Sequence, residues 1–285
     1  MTEPAGVAVV GLGLMGASLA LSLGRRGVPV VGVEPDPDGR AIAVERLGGT
    51  DVAARPGPAL GEAALVVLAV PLRSLEAAAD GIAPWLADGA VVTDLTSVKV
   101  PALDILARRL PGRPVVGGHP MAGRETAGAA GATADLFEAR PWAIVAPEGA
   151  PAWAVERVRA LARTCGAVPV DLAAADHDRA VAATSQLPYL VAGALARAVA
   201  RLGDDAPAAR DLVGPGLEGA IRLAGQPAWM DDACLANRAA LASALAAFEA
   251  AAAEARRALV DGAPAFADLS ERGRSARRRL LAPGS

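Results

Sequence analysis

The segment Gly11-Leu12-Gly13-Leu14-Met15-Gly16, directly after the apolar run Val7–Val10, limits the fold more than any other part of the chain. Glycines at this spacing between a strand and a helix form a tight turn whose backbone can approach a pyrophosphate, with the helix N-terminus facing the negative charge. The arrangement needs a strand before it, a helix after it and an acidic residue about twenty positions on. Val7–Val10, the alanine- and leucine-rich stretch after Gly16, and Glu34 supply all three. Gly11 allows the turn, Gly13 the approach of the phosphates and Gly16 close packing of helix on strand, while Leu12, Leu14 and Met15 complete the loop. A dinucleotide-binding βαβ unit is therefore expected here.

Glu34 ends the second apolar run, where a carboxylate accepts hydrogen bonds from ribose hydroxyls and repels a 2′-phosphate. Asp36 and Asp38 add negative charge and no basic residue follows before Arg40, so NAD is expected over NADP. Asp36 and Asp38 also suit plain turn chemistry beside Pro35 and Pro37.

Further β-rich runs at 28–33, 65–70, 90–94, 115–118, 142–146 and 167–172 alternate with amphipathic stretches such as 74–86 and 155–163. This alternation predicts an α/β fold: a doubly wound, Rossmann-type domain over residues 1–172 with a mostly parallel sheet. Beyond residue 172 the β-branched runs cease, and alanine-rich periodicity predicts helices over 174–202, 217–224, 231–260 and 265–281. The second domain, 173–285, is expected to be all helical, with Pro188 kinking or interrupting its first helix. Its alanine- and leucine-rich helices present more apolar surface than a domain of that size buries alone, so a homodimer is expected.

With a net charge of −3 and pI ≈ 5.5, the chain lacks the footprint of a nucleic-acid binder, and a small-molecule partner is expected. Cys165 and Cys234 form no paired motif, so no metal site or disulfide is expected and a cytoplasmic location fits. The apolar stretch 7–23 follows Glu3 rather than a basic segment and is broken by glycines, which argues against a signal peptide or membrane span.

Ligands of open α/β sheets bind at the carboxyl ends of the strands, which points to Val70 and Pro71, to Ser97 and Lys99, and to His119. Ser97 also suits the N-cap of the helix that follows, and the two roles can coexist. Lys99 is the only lysine in the chain and Asn237 the only asparagine. His119, one of two histidines, ends its strand between Gly118 and Pro120 and is the candidate proton acceptor near neutral pH. His177, between Asp176 and Asp178, reads as structural: a helix-start cap or an interdomain hydrogen bond.

Taken in order, the glycine loop, Thr93-Asp94-Leu95-Thr96-Ser97-Val98-Lys99 and Gly117-Gly118-His119-Pro120-Met121-Ala122-Gly123-Arg124-Glu125 resemble the prephenate/arogenate dehydrogenase family of tyrosine biosynthesis. Thr184-Ser185-Gln186-Leu187-Pro188, Ile221-Arg222-Leu223-Ala224 and the stretch from Trp229 to Asn237 extend the resemblance over nearly the whole chain. It implies oxidative decarboxylation of a cyclohexadienol, with hydride leaving ring C4 for NAD(P)⁺ as the ring carboxylate departs as CO₂. It further implies that His119 takes the proton of the 4-hydroxyl, Ser97 orients that hydroxyl, Arg222 binds a substrate carboxylate and Glu125 gates the cleft. An imidazole with the ordinary pKa of about 6.5 can accept that proton at pH 7, with a rate limb near pH 6–7.

Many members carry histidine at both polar positions of the Ser-His-Leu-Pro-His segment, where this chain has Gln186 and Tyr189. Neither becomes cationic near neutrality, so both are expected to hold the substrate side chain differently. Prephenate, arogenate and a 4-amino analogue of specialised metabolism all stay open as substrates. No fused chorismate mutase segment or regulatory domain is expected. The 3-hydroxyacid dehydrogenases share the first-domain pattern but use a lysine from the helical domain, and this chain has none after Lys99. A regulator that binds cofactor without catalysis fits poorly with the presence of Ser97, His119 and Arg222 together.

Overall fold

The computed structural model describes residues 6–124, 126–205 and 208–282. Strand β1 (Val7–Val10) leads through the glycine loop into α1 (Leu14–Gly24), then β2 (Val30–Val33), α2 (Pro37–Leu47) and the short β3 (Asp51–Ala53). Next come β4 (Leu65–Leu68), α3 (Leu72–Ile82), β5 (Val91–Asp94) and α4 (Val100–Arg109). The five strands form a parallel sheet in the order β3-β2-β1-β4-β5. Val7 of β1 lies opposite both Val30 and Leu65.

Alternate side chains of each central strand enter opposite faces, as the period of two requires. Val7 and Val9 join Leu65 and Val67 in one buried cluster with Leu19 and Leu23 of α1. Ala8 and Val10 join Val66 and Leu68 in the other, against Leu75 and Ile82 of α3 and Leu103 and Leu106 of α4. Burial on both faces explains why these strands read as continuous apolar runs.

A second, three-stranded sheet in the order β6-β7-β8 follows, built from β6 (Gly117–Pro120), β7 (Pro141–Val145) and, after α5 (Ala152–Thr164), β8 (Val168–Asp171). A parallel bridge between Val92 and Val115 lays the start of this segment beside β5. Two departures from the sequence reading appear: β6 and β7 pair antiparallel, and β3 was not among the expected runs. Both concern edges. β3 is a three-residue strand whose half-exposed side chains give no apolar run, and a strand's direction leaves no local sequence mark. The parallel bridge aligns β6 with β5, so His119 emerges at the edge where β1, β4 and β5 end.

The helical part begins with α6 (Ala174–Val181), followed by a π turn at Ala182–Gln186 and α7 (Leu187–Asp205). Pro188, second in α7, cannot donate to the carbonyl four residues back, and the widened turn before it accommodates that missing bond. Short α8 (Ala208–Asp211) and α9 (Pro215–Ile221) lead to α10 (Trp229–Ala236) and the long pair α11 (Arg238–Asp261) and α12 (Ala263–Leu281). The single helix expected over 231–260 is instead broken at Asn237, which lies between α10 and α11 and whose side chain bonds other elements. No helix among the described residues is long and apolar enough to cross a membrane.

Candidate active site

The loop after β1 has the shape a dinucleotide needs. Gly11 has φ +89°, and a Cβ there would stand 2.7 Å from the Ala69 carbonyl and 2.8 Å from Val70. A Cβ on Gly16 would lie 1.9 Å from the Gly11 carbonyl oxygen, so the helix can approach the turn only with glycine there. Gly13, by contrast, faces open space, and no side chain caps α1, so its first-turn amides remain available to an anion. Glu34 Oε2 accepts from the Leu12 amide at 2.7 Å and Oε1 from the Asp36 amide at 3.1 Å, which ties the acidic residue to the loop. Leu14, Met15, Val70 and Pro71 border the same edge, with Pro71 preceding α3. These residues fit a bound dinucleotide: an open glycine cradle, an uncapped helix start and a carboxylate at the ribose end.

Ser97 is half-buried in the loop between β5 and α4. Its expected N-cap role is corrected by the structure, because α4 starts at Val100 and no side chain in its own loop caps it. The cap comes from Asp178 of α6 instead: Oδ1 accepts from the Lys99 amide at 2.7 Å and Oδ2 from the Val100 amide at 2.9 Å. One carboxylate of the helical segment thus neutralises the start of a Rossmann helix.

The same carboxylate orders the imidazoles. His177 Nδ1 lies 2.7 Å from Asp178 Oδ1, and His177 Nε2 lies 2.9 Å from His119 Nδ1. An ionised carboxylate only accepts, so His177 Nδ1 carries a proton, His177 Nε2 accepts, and His119 Nδ1 donates. That leaves the lone pair of His119 Nε2 without a partner among the described residues. The rings meet nearly edge to face, with centroids 5.1 Å apart. Burial raises the Asp178 carboxyl, but the bonds from His177, Lys99 and Val100 together outweigh it and hold it below its ordinary value.

His119 is held well below the ordinary imidazole value, first by burial, then by the positive charge of Lys99 and by His177. The rate limb expected near pH 6–7 is therefore corrected toward acid. Lys99 itself is completely buried, bonded through Nζ to Asp94 and, at 2.7 Å, to the Gly118 carbonyl.

The remaining expected site residues lie apart from this relay. Gln186 is buried: its oxygen accepts from Asn237 Nδ2 at 2.9 Å and its amide nitrogen donates to the Ala233 carbonyl at 3.3 Å. Both ends of its amide are thus bonded within the chain. Tyr189 is partly exposed and donates to Asp231 at 2.7 Å. Arg222 is exposed on the 3₁₀ turn Arg222–Gly225, packed against α7. Glu125 lies outside the described residues. His177 and Asp178 were missed as members of the site. The available signal was a second rare histidine followed at once by an acid, which also reads as an ordinary helix start. The interdomain bond considered for His177 exists, and its partner is His119.

A Rossmann-type sheet, an open glycine cradle and a strand-end imidazole backed by a second domain define a two-domain, dinucleotide-binding protein. The chain belongs to the prephenate dehydrogenase family: residues 19–171 match its nucleotide-binding domain and residues 173–269 its dimerization domain. NovF of Streptomyces niveus, described as a probable prephenate dehydrogenase, is 35% identical over 211 residues, covering 72% of this chain and 55% of that protein. The chain thus spans little over half the length of that relative. Among solved structures, Synechocystis arogenate dehydrogenase is 29% identical with a TM-score of 0.84, covering 97% of this chain and 100% of that one. Prephenate dehydrogenase from A. aeolicus, solved with hydroxyphenyl propionate and NAD⁺, is 25% identical with a TM-score of 0.88, covering 99% and 98%.

Proposed function

We propose that the chain catalyses the NAD-dependent oxidative decarboxylation of a cyclohexadienol, prephenate or arogenate, with residues 1–172 holding the dinucleotide and 173–285 completing the substrate cleft and the dimer. The observation that carries this reading is the imidazole relay, which leaves His119 Nε2 neutral and unbonded beside the edge where the glycine loop ends. When bound at the glycine cradle, the dinucleotide would supply the hydride acceptor.

The 4-hydroxyl of the substrate donates to His119 Nε2, which takes its proton as C4 gives up its hydrogen as hydride; the ring carboxylate then leaves as CO₂, its bonding pair entering the ring, and the His119 imidazolium returns the proton to the phenol oxygen. The imidazolium that forms can share its Nδ1 proton with His177, and Asp178 stabilises positive charge on either ring. Ser97, half-buried in the loop after β5, supplies the hydroxyl that orients the substrate oxygen in this reading. On the family resemblance Arg222 anchors a substrate carboxylate and Tyr189, whose hydroxyl donates to Asp231, serves the side-chain end. Both cysteines, Cys165 and Cys234, are buried free thiols, in keeping with a reducing cytoplasm.

The test is NADH formation with prephenate and arogenate supplied separately. Turnover of either, with release of CO₂ in equal amount, is the expected result; NADH formation with neither would overturn the reading.

A further inference from the structure

Lys99 is the one lysine of the chain and has no exposed surface. A buried ammonium is tolerated only where its charge is paired and its protons are bonded. Here Nζ contacts two acceptors, the Asp94 carboxylate and the Gly118 carbonyl, which engage two of the three ammonium protons; burial pulls the ammonium below its ordinary value, and the Asp94 charge and hydrogen bond oppose that pull.

The placement of those contacts goes beyond a buried ion pair. Gly118 immediately precedes His119, so the side chain fixes the strand on which the imidazole stands. The Lys99 backbone amide donates at 2.7 Å to Asp178 Oδ1, the oxygen that also receives the proton of His177 Nδ1. His177 is in turn the hydrogen-bond partner of His119. One residue therefore grips both supports of the imidazole: the chain before it and the hydrogen-bonded arm beside it. Tolerance there is small. A Cβ on Gly118 would stand 2.9 Å from the Asp94 carbonyl, 3.0 Å from Trp142 Nε1 and 3.1 Å from Thr93 Oγ1.

We propose that Lys99 is a positioning residue for His119: its side chain and main chain lock β6 and the Asp178–His177 arm into one register, and its ammonium sets a fixed positive charge behind the imidazole. The charged and titratable groups around His119 are Lys99 and Asp94 on the β5–α4 side, and His177 and Asp178 on α6. Of these, Lys99 first and His177 after it oppose an imidazolium at His119, in the same direction as burial, which is the largest cause. Lys99 thus keeps His119 in the neutral form that accepts a proton. The proposal rests on His119 being the proton acceptor, but its first readout does not depend on turnover.

With two histidines and one lysine, selective isotope labelling gives NMR spectra that need little assignment. In the unsubstituted protein, [¹⁵N]lysine should show one side-chain ammonium, with slowly exchanging protons, through the neutral range. A neutral amine at pH 7 would overturn the proposal by itself. In Lys99→Met the His119 ring titration should move up toward the ordinary imidazole value, and kcat should fall by about 10- to 100-fold through misalignment of β6. Lys99→Arg keeps the charge in a poorer shape, so it should lower kcat while leaving the titration low.

Should Lys99→Met fail to fold, the double substitution Asp94→Asn with Lys99→Met removes the pair together and is read the same way. An unmoved His119 midpoint in the charge-removed variant would reduce Lys99 to a structural residue. A moved midpoint in a protein that turns over neither prephenate nor arogenate would leave this proposal standing and overturn the proposed function alone.

Discussion

At His119 the hydrogen-bond order decides which nitrogen can react. Nδ1 is committed to His177, so Nε2 is the base, and the reacting form is the neutral ring. Because the folded environment lowers the His119 pKa, the neutral form already predominates at pH 7 and is lost only as pH falls through the lowered value. A kcat/KM profile should therefore be flat through the neutral range and drop only on the acid side of the ordinary imidazole region. His119→Asn should cut kcat by about 10²–10⁴ and abolish that acid limb, with dinucleotide affinity near normal. A variant that kept both rate and limb would remove His119 from the chemistry. His177→Phe should cost less, on the order of 10- to 100-fold in kcat, since the base remains but loses the acceptor that fixes its tautomer. Equal kcat in that variant would show that the relay is not used. His119 was legible in the sequence because a rare histidine ended a strand between glycine and proline. His177 was not, because its partner lies 58 positions away and nothing local encodes a contact across two domains.

Among the elements, the junction of α6, α7, α10 and α11 is held by a buried amide pair rather than by apolar packing alone. Asn237 Nδ2 donates to the Asp178 carbonyl at 2.8 Å and to Gln186 Oε1 at 2.9 Å, and Gln186 reaches the Ala233 carbonyl. Asn237→Leu would leave the buried Gln186 Oε1 unsatisfied, while the Asp178 carbonyl keeps its helical bond from the Ala182 amide, so a loss of roughly 1–3 kcal/mol is expected by urea denaturation. The same substitution should lower kcat, because the Asp178 carbonyl sits on the residue that orders His177. A stability within about 0.5 kcal/mol of the parent would mean that the pair contributes little beyond solvation. The helices themselves were legible from periodicity, and Pro188 marked the interruption before α7. The break at Asn237 was not, because alanine and leucine continue on both sides and only the fold supplies the partners that draw the asparagine inward. Similarly, Gln186 read as a substrate contact from its place in the Ser-Gln-Leu-Pro segment, whereas its burial is set by α10 and α11 crossing over it.

On the scale of the whole molecule, burial is distributed unevenly. The two sheet clusters draw on every central strand, whereas the helical part has one cluster of Ala182, Met230, Cys234 and Leu241 among the described residues. Along α11 only Leu241 and Ala258 are buried, and α12 buries none, while Phe248, Leu259, Val260, Phe266, Leu280 and Leu281 stand exposed. Leu259 is 68% and Val260 83% exposed, values at which an apolar side chain adds nothing to the stability of a lone chain. A helix pair that buries so little is a poor independent unit, and apolar exposure of this extent marks an association surface. Covering it in a symmetric dimer would remove apolar area from water at about 25 cal/mol per Å², and permanent homodimer interfaces bury upwards of about 2,000 Å². The protein should therefore sediment as a dimer at micromolar concentration, with a melting temperature that rises with concentration. Val260→Glu combined with Phe266→Glu should shift it to monomer and lower the melting temperature, since both side chains stand exposed in the single chain. A fully active parent that sediments as a monomer, or a double variant with unchanged sedimentation and melting, would show that this surface faces water in the working enzyme.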